Sequence, residues 1–159
     1  MSAEHLREHA VAAALLELDP DAVTGGKFDR GELTLEIAPE KIVAVCGFLK
    51  REQKFVRLST VTGVDRYPAE PRFEVVYHLQ SLEPNRRLRL KCRLPGENPE
   101  IDSVTSVWRG ADWYERETFD LFGVRFRQHP GLRRIMLPDD WEGHPLRKDA
   151  PVTGQRYQP

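Results

Sequence analysis

A chain of 159 residues with 40% hydrophobic and 31% charged side chains has the make-up of one globular domain plus a tail, not of a disordered or fibrous protein. Its formal charge of −1 gives no general pull toward nucleic acid or an anionic membrane surface. The apolar runs, Ile42 to Gly47 and Val75 to Tyr77 among them, are far shorter than the roughly 20 residues that span a bilayer. Met1 to His9 lack the basic-then-apolar order of a secretion signal, so a cytoplasmic location or its equivalent is expected.

Along the chain, Leu6, Ala10, Val11, Ala14, Leu15 and Leu18 recur at helical spacing, and Asp19-Pro20 stops them, which predicts a helix over 4–18. Gly25-Gly26 and Asp29-Arg30-Gly31 supply turn chemistry before the alternation Leu33, Leu35, Ile37, which predicts a β-hairpin with one buried face. Pro39 suits a first helical turn, and Ile42, Val45, Cys46 and Leu49 carry a second helix over 39–52. Strands are expected at Phe55 to Val61, Phe73 to Leu79 and Leu88 to Leu94, the last two joined at Glu83-Pro84-Asn85 and each with one face buried and one wet. A segment rich in aromatic and charged residues then runs from Trp108 to Phe122, and Gly123 stands where a helix C-cap is expected. The expected fold is α+β: a mixed or antiparallel sheet with helices packed on one face, forming a body over 1–123, followed by an extended tail over 124–159.

The tail changes character. It holds five prolines, and seven Lys or Arg against four Asp or Glu, together with Phe126, Leu132, Ile135, Met136, Leu137, Trp141 and Leu146. Prolines at this density forbid a continuous helix or a central strand, and a freely solvated linker has no use for those apolar side chains. Two arrangements remain: the tail folds back over its own sheet, or it lies along another protein, with its arginines on partner carboxylates or carbonyls. On the second reading, a chain cut after Gly123 still folds.

Candidate chemistry is sparse. Glu115, Arg116, Glu117 and Asp120 share one helix surface, where paired carboxylates could do acid–base work or hold a hard cation, and where helical ion pairing, Arg116 with Asp120 foremost, is the commoner outcome. His129 and His144 each precede a proline, with no cysteine or glutamate at ligand spacing, which favours capping or interface hydrogen bonds over metal. Cys46 and Cys92 are too few for an iron–sulfur cluster or a closed zinc site and read as buried thiols. No phosphate-cradling loop, dinucleotide fingerprint or nucleophile elbow is present. Arg87, Arg89, Lys91 and Arg93 line one strand face. Without interleaved aromatic residues they read as a solvated face near Glu74 and other acids; an RNA-binding stripe is the alternative.

The run Trp113 to Gly123 (WYERETFDLFG) resembles the E-R-E-x-[FY]-D-[LM]-[FY]-G signature of the "30-kilodalton" subunit family of NADH–quinone oxidoreductase, respiratory complex I. Two further runs, His129 to Ile135 (HPGLRRI) and Leu137 to Asp149 (LPDDWEGHPLRKD), resemble that family's tail in the same order. The resemblance is strong over the last third of the chain and permissive before it. It implies a peripheral-arm subunit of a proton-pumping NADH–quinone oxidoreductase, part of an enzyme but without catalytic residues of its own. It also implies no cofactor in this chain, with FMN, iron–sulfur clusters and quinone held by neighbouring subunits. The implied partners are the quinone-cavity subunit and the iron–sulfur subunits, not nucleic acid, and the implied place is peripheral, on the cytoplasmic side of the plasma membrane or the matrix side of a mitochondrial inner membrane. Residues implied in partner binding are Glu115, Arg116, Glu117, Asp120, Gly123, Arg133, Arg134, Ile135, Trp141, His144, Arg147 and Lys148. The same signature occurs in membrane-bound hydrogenases and in ferredoxin- or F420-linked reductases. Gly143 to Asp149 (GHPLRKD) favours the NADH–quinone enzymes.

Overall fold

The computed structural model describes residues 6–151. The elements are α1 (Ala10–Leu18), β1 (Val23–Asp29), β2 (Glu32–Ile37), a 3-10 turn at Pro39–Lys41, α2 (Ile42–Arg51), β3 (Arg57–Asp65), β4 (Phe73–Ser81), β5 (Arg86–Leu94), β6 (Glu100–Asp102), α3 (Ala111–Phe122) and β7 (Arg125–Arg127). Strands β1 to β5 form one mixed sheet in the order β1-β2-β5-β4-β3, and β6 with β7 forms a separate parallel pair.

Each pairing follows from a local cause. The β1–β2 hairpin closes on Arg30 and Gly31, both at positive φ (52° and 81°), the twist-matched two-residue turn for antiparallel strands. Strand β2 lies parallel to β5, and parallel neighbours need a crossover, here the run through α2, β3 and β4. Register places Leu33, Leu35, Leu88, Leu90, Cys92, Phe73, Val75, Tyr77 and Val61 on one face, where Val11, Ala12 and Leu15 of α1 and Ile42, Val45, Cys46 and Leu49 of α2 bury them.

The opposite face carries charge in opposed pairs. Arg89 bonds Glu32 at 2.7 Å and Arg93 reaches Glu36 at 3.2 Å, so the basic run on β5 is answered by acids on β2, as the solvated-face reading expects. Glu74, beneath Arg66, Lys91 and Arg93, is buried, and so is Val76, so β4 from Phe73 to Tyr77 is covered on both faces, contrary to the expected wet side. Burial alone would raise the Glu74 pKa, and the three cations outweigh it and hold it down.

Other boundaries shift. The first helix begins at Ala10, with residues 1–5 outside the described residues, and β3 starts at Arg57 and runs to Asp65, leaving Phe55 as a buried wedge before it. The expected break at 123/124 does not fall there. Val124 and Phe126 are buried in the core and β7 pairs with β6, so the body continues to Arg127.

Helix α3 lies against β3 because Gly63 leaves room for it: a Cβ there would stand 2.7 Å from the Phe122 ring. Strand propensity alone favours valine over glycine at this position. Gly63→Val is nevertheless expected to destabilise the fold by about 1–3 kcal/mol through overpacking. A lowered urea midpoint with an unchanged slope checks this.

Candidate functional site

An α-helix ends with four carbonyls that lack an intrahelical partner. In α3 these belong to Phe119, Asp120, Leu121 and Phe122, and the chain that follows satisfies all four. Gly123, at φ 76°, turns its own N–H onto the Phe119 carbonyl at 2.8 Å. His144 Nδ1 donates to the Asp120 carbonyl at 2.9 Å, the Leu146 N–H to Leu121 at 3.1 Å, and Arg147 Nε to Phe122 at 2.7 Å. The close approach requires glycine at 123, where a Cβ would meet His144 and Arg147 at 2.5 Å.

Asp120 gathers the rest. Its wholly buried carboxylate accepts Arg134 Nη1 at 2.6 Å and the N–H groups of Ile135, Met136 and Leu137 at 3.0, 2.7 and 2.9 Å. Burial pushes its pKa up, but the three N–H groups and the Arg134 guanidinium outweigh burial and hold it below the ordinary value. Arg134 then donates from Nη2 to the carbonyls of Trp141 and Gly143, which fixes the next turn. Arg116 donates to the carbonyls of Arg133 and Arg134 and lies over Trp113.

A second fastening holds the far end. Arg72 is bidentate to Asp65 (2.9 and 2.7 Å) and to Asp149 (2.9 and 2.7 Å), and its guanidinium lies against the Tyr67 and Phe73 rings. Asp65 also accepts the Lys148 N–H at 2.8 Å, and the Arg72 pair holds its carboxyl well below the ordinary range. Residues 128–151 are therefore a strap tied at both ends to the body. Trp113, Met136, Trp141 and Leu146 nonetheless face outward, at 61, 62, 37 and 51% exposure.

Several expectations change here. Arg116 and Asp120 do not pair; Asp120 takes Arg134, whose guanidinium has the better approach to a carboxylate at the helix end. Arg134 and Arg147 turn inward, onto Asp120 and the Phe122 carbonyl. Glu115 is wholly buried, bonded to Ser103 and the Val104 N–H, and Glu117 is partly exposed with no ion pair among the described residues. Arg133 is exposed, Ile135 partly buried, and Lys148 is held by its backbone with its side chain free. His144 does cap, in line with the capping expectation; burial comes first in pushing its pKa down. Asp65 and Arg72 fasten the strap, and local sequence pattern does not reveal them. They lie 83 and 77 residues from their partners in the strap, beyond any local spacing.

Residues 35–156 match the family described as "Respiratory-chain NADH dehydrogenase, 30 Kd subunit". A protein of Roseiflexus sp. (strain RS-1), named as the C subunit of NADH-quinone oxidoreductase, is 50% identical over 138 residues, 86% of this chain and 79% of the relative. One of the same name from Geobacter sulfurreducens is 50% identical over 131 residues, 82% of this chain and 81% of the relative. Among solved structures, a trypsin-resistant fragment (1-134) of Nqo5 is similar at TM-score 0.67 and 29% identity, covering 78% of this chain and all of that one. A chain of the membrane-bound sulfane sulfur reductase, an archaeal respiratory membrane complex, is similar at TM-score 0.76 and 29% identity, covering 92% of this chain and 86% of that one.

The two fastenings make the strap acid-labile. Stability carried by Asp65 and Asp120 is present above the ordinary aspartate pKa of about 3.9 and is lost as pH falls through their depressed folded values. A chain cut after Gln128 keeps β7 and loses the strap; it is expected to be less stable by on the order of 2–4 kcal/mol near pH 7. Urea midpoints across pH are expected to fall less steeply below about pH 4 in the cut chain than in the full one. A cut after Gly123 also removes Val124 and Phe126 from the core and is expected to abolish cooperative folding, contrary to the expectation that such a body folds.

Proposed function

This chain belongs to the family of the 30 kDa subunit of respiratory-chain NADH dehydrogenase, and on that premise we propose that it is a cofactor-free arm subunit that docks through the outer side of its strap. It is a peripheral-arm subunit of a respiratory complex I-like assembly. In this reading the strap meets the subunit that shapes the quinone cavity, close to the iron–sulfur subunits, and the electron donor and acceptor are NADH and a quinone. Electron transfer belongs to those neighbours; this chain assembles and shapes the arm.

The observation that carries the docking face is the polarity of the strap. Its Arg134, His144 and Arg147 are spent on its own body and on the strap itself, while its large apolar side chains, Met136, Trp141 and Leu146, point away. A free-standing domain has no gain from that arrangement, whereas a partner with apolar pockets does. The charge available outward is acidic as well as basic: Asp139, Asp140 and Glu142 are exposed, alongside Arg133 and Lys148.

The cofactor-free reading is supported by both cysteines lying in the core, where burial pushes each thiol well above its ordinary pKa and away from the thiolate a metal needs. No helix among the described residues is long and apolar enough to cross a membrane. Attachment on the cytoplasmic or matrix side would therefore come through the partners.

The test uses the tagged full chain in a host membrane that lacks its own copy. The double variant Trp141→Ala, Leu146→Ala is expected to fold like the parent, since both side chains are exposed, and to recover at least about tenfold less of the iron–sulfur subunits on purification. Arg89→Ala, on the sheet face away from the strap, is expected to assemble normally. Wild-type recovery and quinone reductase activity in the double variant would refute the docking face.

A further inference from the structure

A second buried cluster of titratable groups lies toward the other end of α3, away from the strap's fastenings. The Glu115 carboxyl is wholly buried; Oε1 accepts the Val104 N–H at 2.8 Å and Oε2 accepts the Ser103 hydroxyl at 2.6 Å. The Ser103 hydroxyl lies 2.8 Å from that of Thr105, which is partly exposed, and also accepts the Thr105 N–H at 3.2 Å. The imidazole of His129 is fully buried, with Nε2 3.9 Å from Glu115 Oε2 and 3.3 Å from Asp112 Oδ1. Asp112 Oδ1 is itself buried without a hydrogen-bond partner.

Donor and acceptor accounting fixes where protons can sit. The Gly131 N–H donates to His129 Nδ1 at 3.0 Å, so the neutral ring carries its proton on Nε2, where the Asp112 backbone carbonyl accepts it at 3.3 Å. The Val104 N–H occupies Oε1, so a proton on Glu115 belongs on Oε2. As a carboxylate, Glu115 takes the Ser103 hydrogen and Ser103 takes that of Thr105. As a carboxylic acid, it donates to Ser103, whose hydrogen turns to Thr105. Both directions satisfy the same oxygens, so a proton passes between the Thr105 side and Glu115 by reversal of the chain, with no heavy atom displaced.

We propose that Glu115 is a proton-binding carboxyl reached from solvent through the Thr105–Ser103 hydroxyl chain, beside the buried imidazole of His129 at the root of the strap. The groups facing it are Asp112 from α3, Ser103 and Thr105 from the β6–α3 loop, His129 from the segment after β7, Tyr77 from β4 and Cys46 from α2. Tyr77 and Cys46 are held neutral by burial, and His129 is the one basic group in ion-pair range of Glu115 among the described residues. Burial pushes the Glu115 carboxyl up to about 7, against the Ser103 and Val104 bonds.

The experiment is a side-chain carboxyl carbon NMR titration of Glu115 in the full chain. The expected midpoint lies near neutral pH, and Ser103→Ala moves it further up by removing the hydroxyl that bonds the carboxylate. Thr105→Val is expected to leave the midpoint in place but to slow exchange, so that the averaged resonance broadens or splits at the midpoint. A midpoint near the ordinary glutamate value of about 4.3 would overturn the proton site, and unchanged exchange in Thr105→Val would overturn the hydroxyl chain. An independent readout is stability against pH. Because the folded value lies above the unfolded one, the Glu115 contribution is fully present below about pH 4 and is lost as pH rises through about 7. Glu115→Gln is expected to abolish that part of the slope, and an unchanged slope counts against the site.

Discussion

Asp120 is a carboxylate in the last turn of a helix, wholly buried, where the helix dipole places partial negative charge. By itself that is among the least favourable places for an aspartate. It becomes tenable because the strap supplies one guanidinium and three N–H groups to the carboxylate, while His144 and Arg147 donate to the adjacent helix-end carbonyls. Charge-assisted bonds of this kind are about twice as strong as neutral ones, and losing them would leave a buried anion without compensation. The helix end and the strap therefore depend on each other, and the geometry of everything from His129 to Asp149 follows from that dependence.

This inward use of polar groups leaves the strap with an inverted character. A loop closing over a body ordinarily buries its apolar side chains and wets its polar ones, yet here Arg134 is folded under while Trp141 and Leu146 stand in solvent. A surface already held in shape loses less conformational entropy on binding than a floppy tail does. Of the two arrangements open to the tail, the strap takes its shape on its own chain, which leaves its outer side exposed. Gly63, which seats Phe122 on β3, and Gly123, which lets His144 and Arg147 reach the helix end, are where the sheet and the strap acquire their fixed relation.

Much of this fold can be read from local pattern. Period-two alternation marks β4 and β5, helical spacing marks α2, and a glycine after an aromatic-rich run marks the end of α3, since each depends on neighbours within a few residues. The buried outer face at Glu74 and Val76 could not be read that way, because it depends on arginines and a lysine arriving from β5 and the β3–β4 connection. The site divides along the same line. Asp120, Arg134, His144 and Arg147 all lie within the three runs that the sequence singles out, 113–123, 129–135 and 137–149. Which of them pair is decided by how the chain turns at Gly123, so the helical spacing that suggests Arg116 with Asp120 gives the wrong partner. Asp65 and Arg72 carry no local signal from the strap, because their partners there, the Lys148 N–H and Asp149, are brought in only by the completed fold.

Asp120 and Arg134 thus act as a single coupled unit fastening the strap. A double-mutant cycle on the purified full chain, using Asp120→Asn, Arg134→Gln and the combination, measures this through urea unfolding. A coupling energy of on the order of 1–3 kcal/mol is expected, with each single change nearly as damaging as the pair. Additive losses, with coupling below about 0.5 kcal/mol, would contradict it.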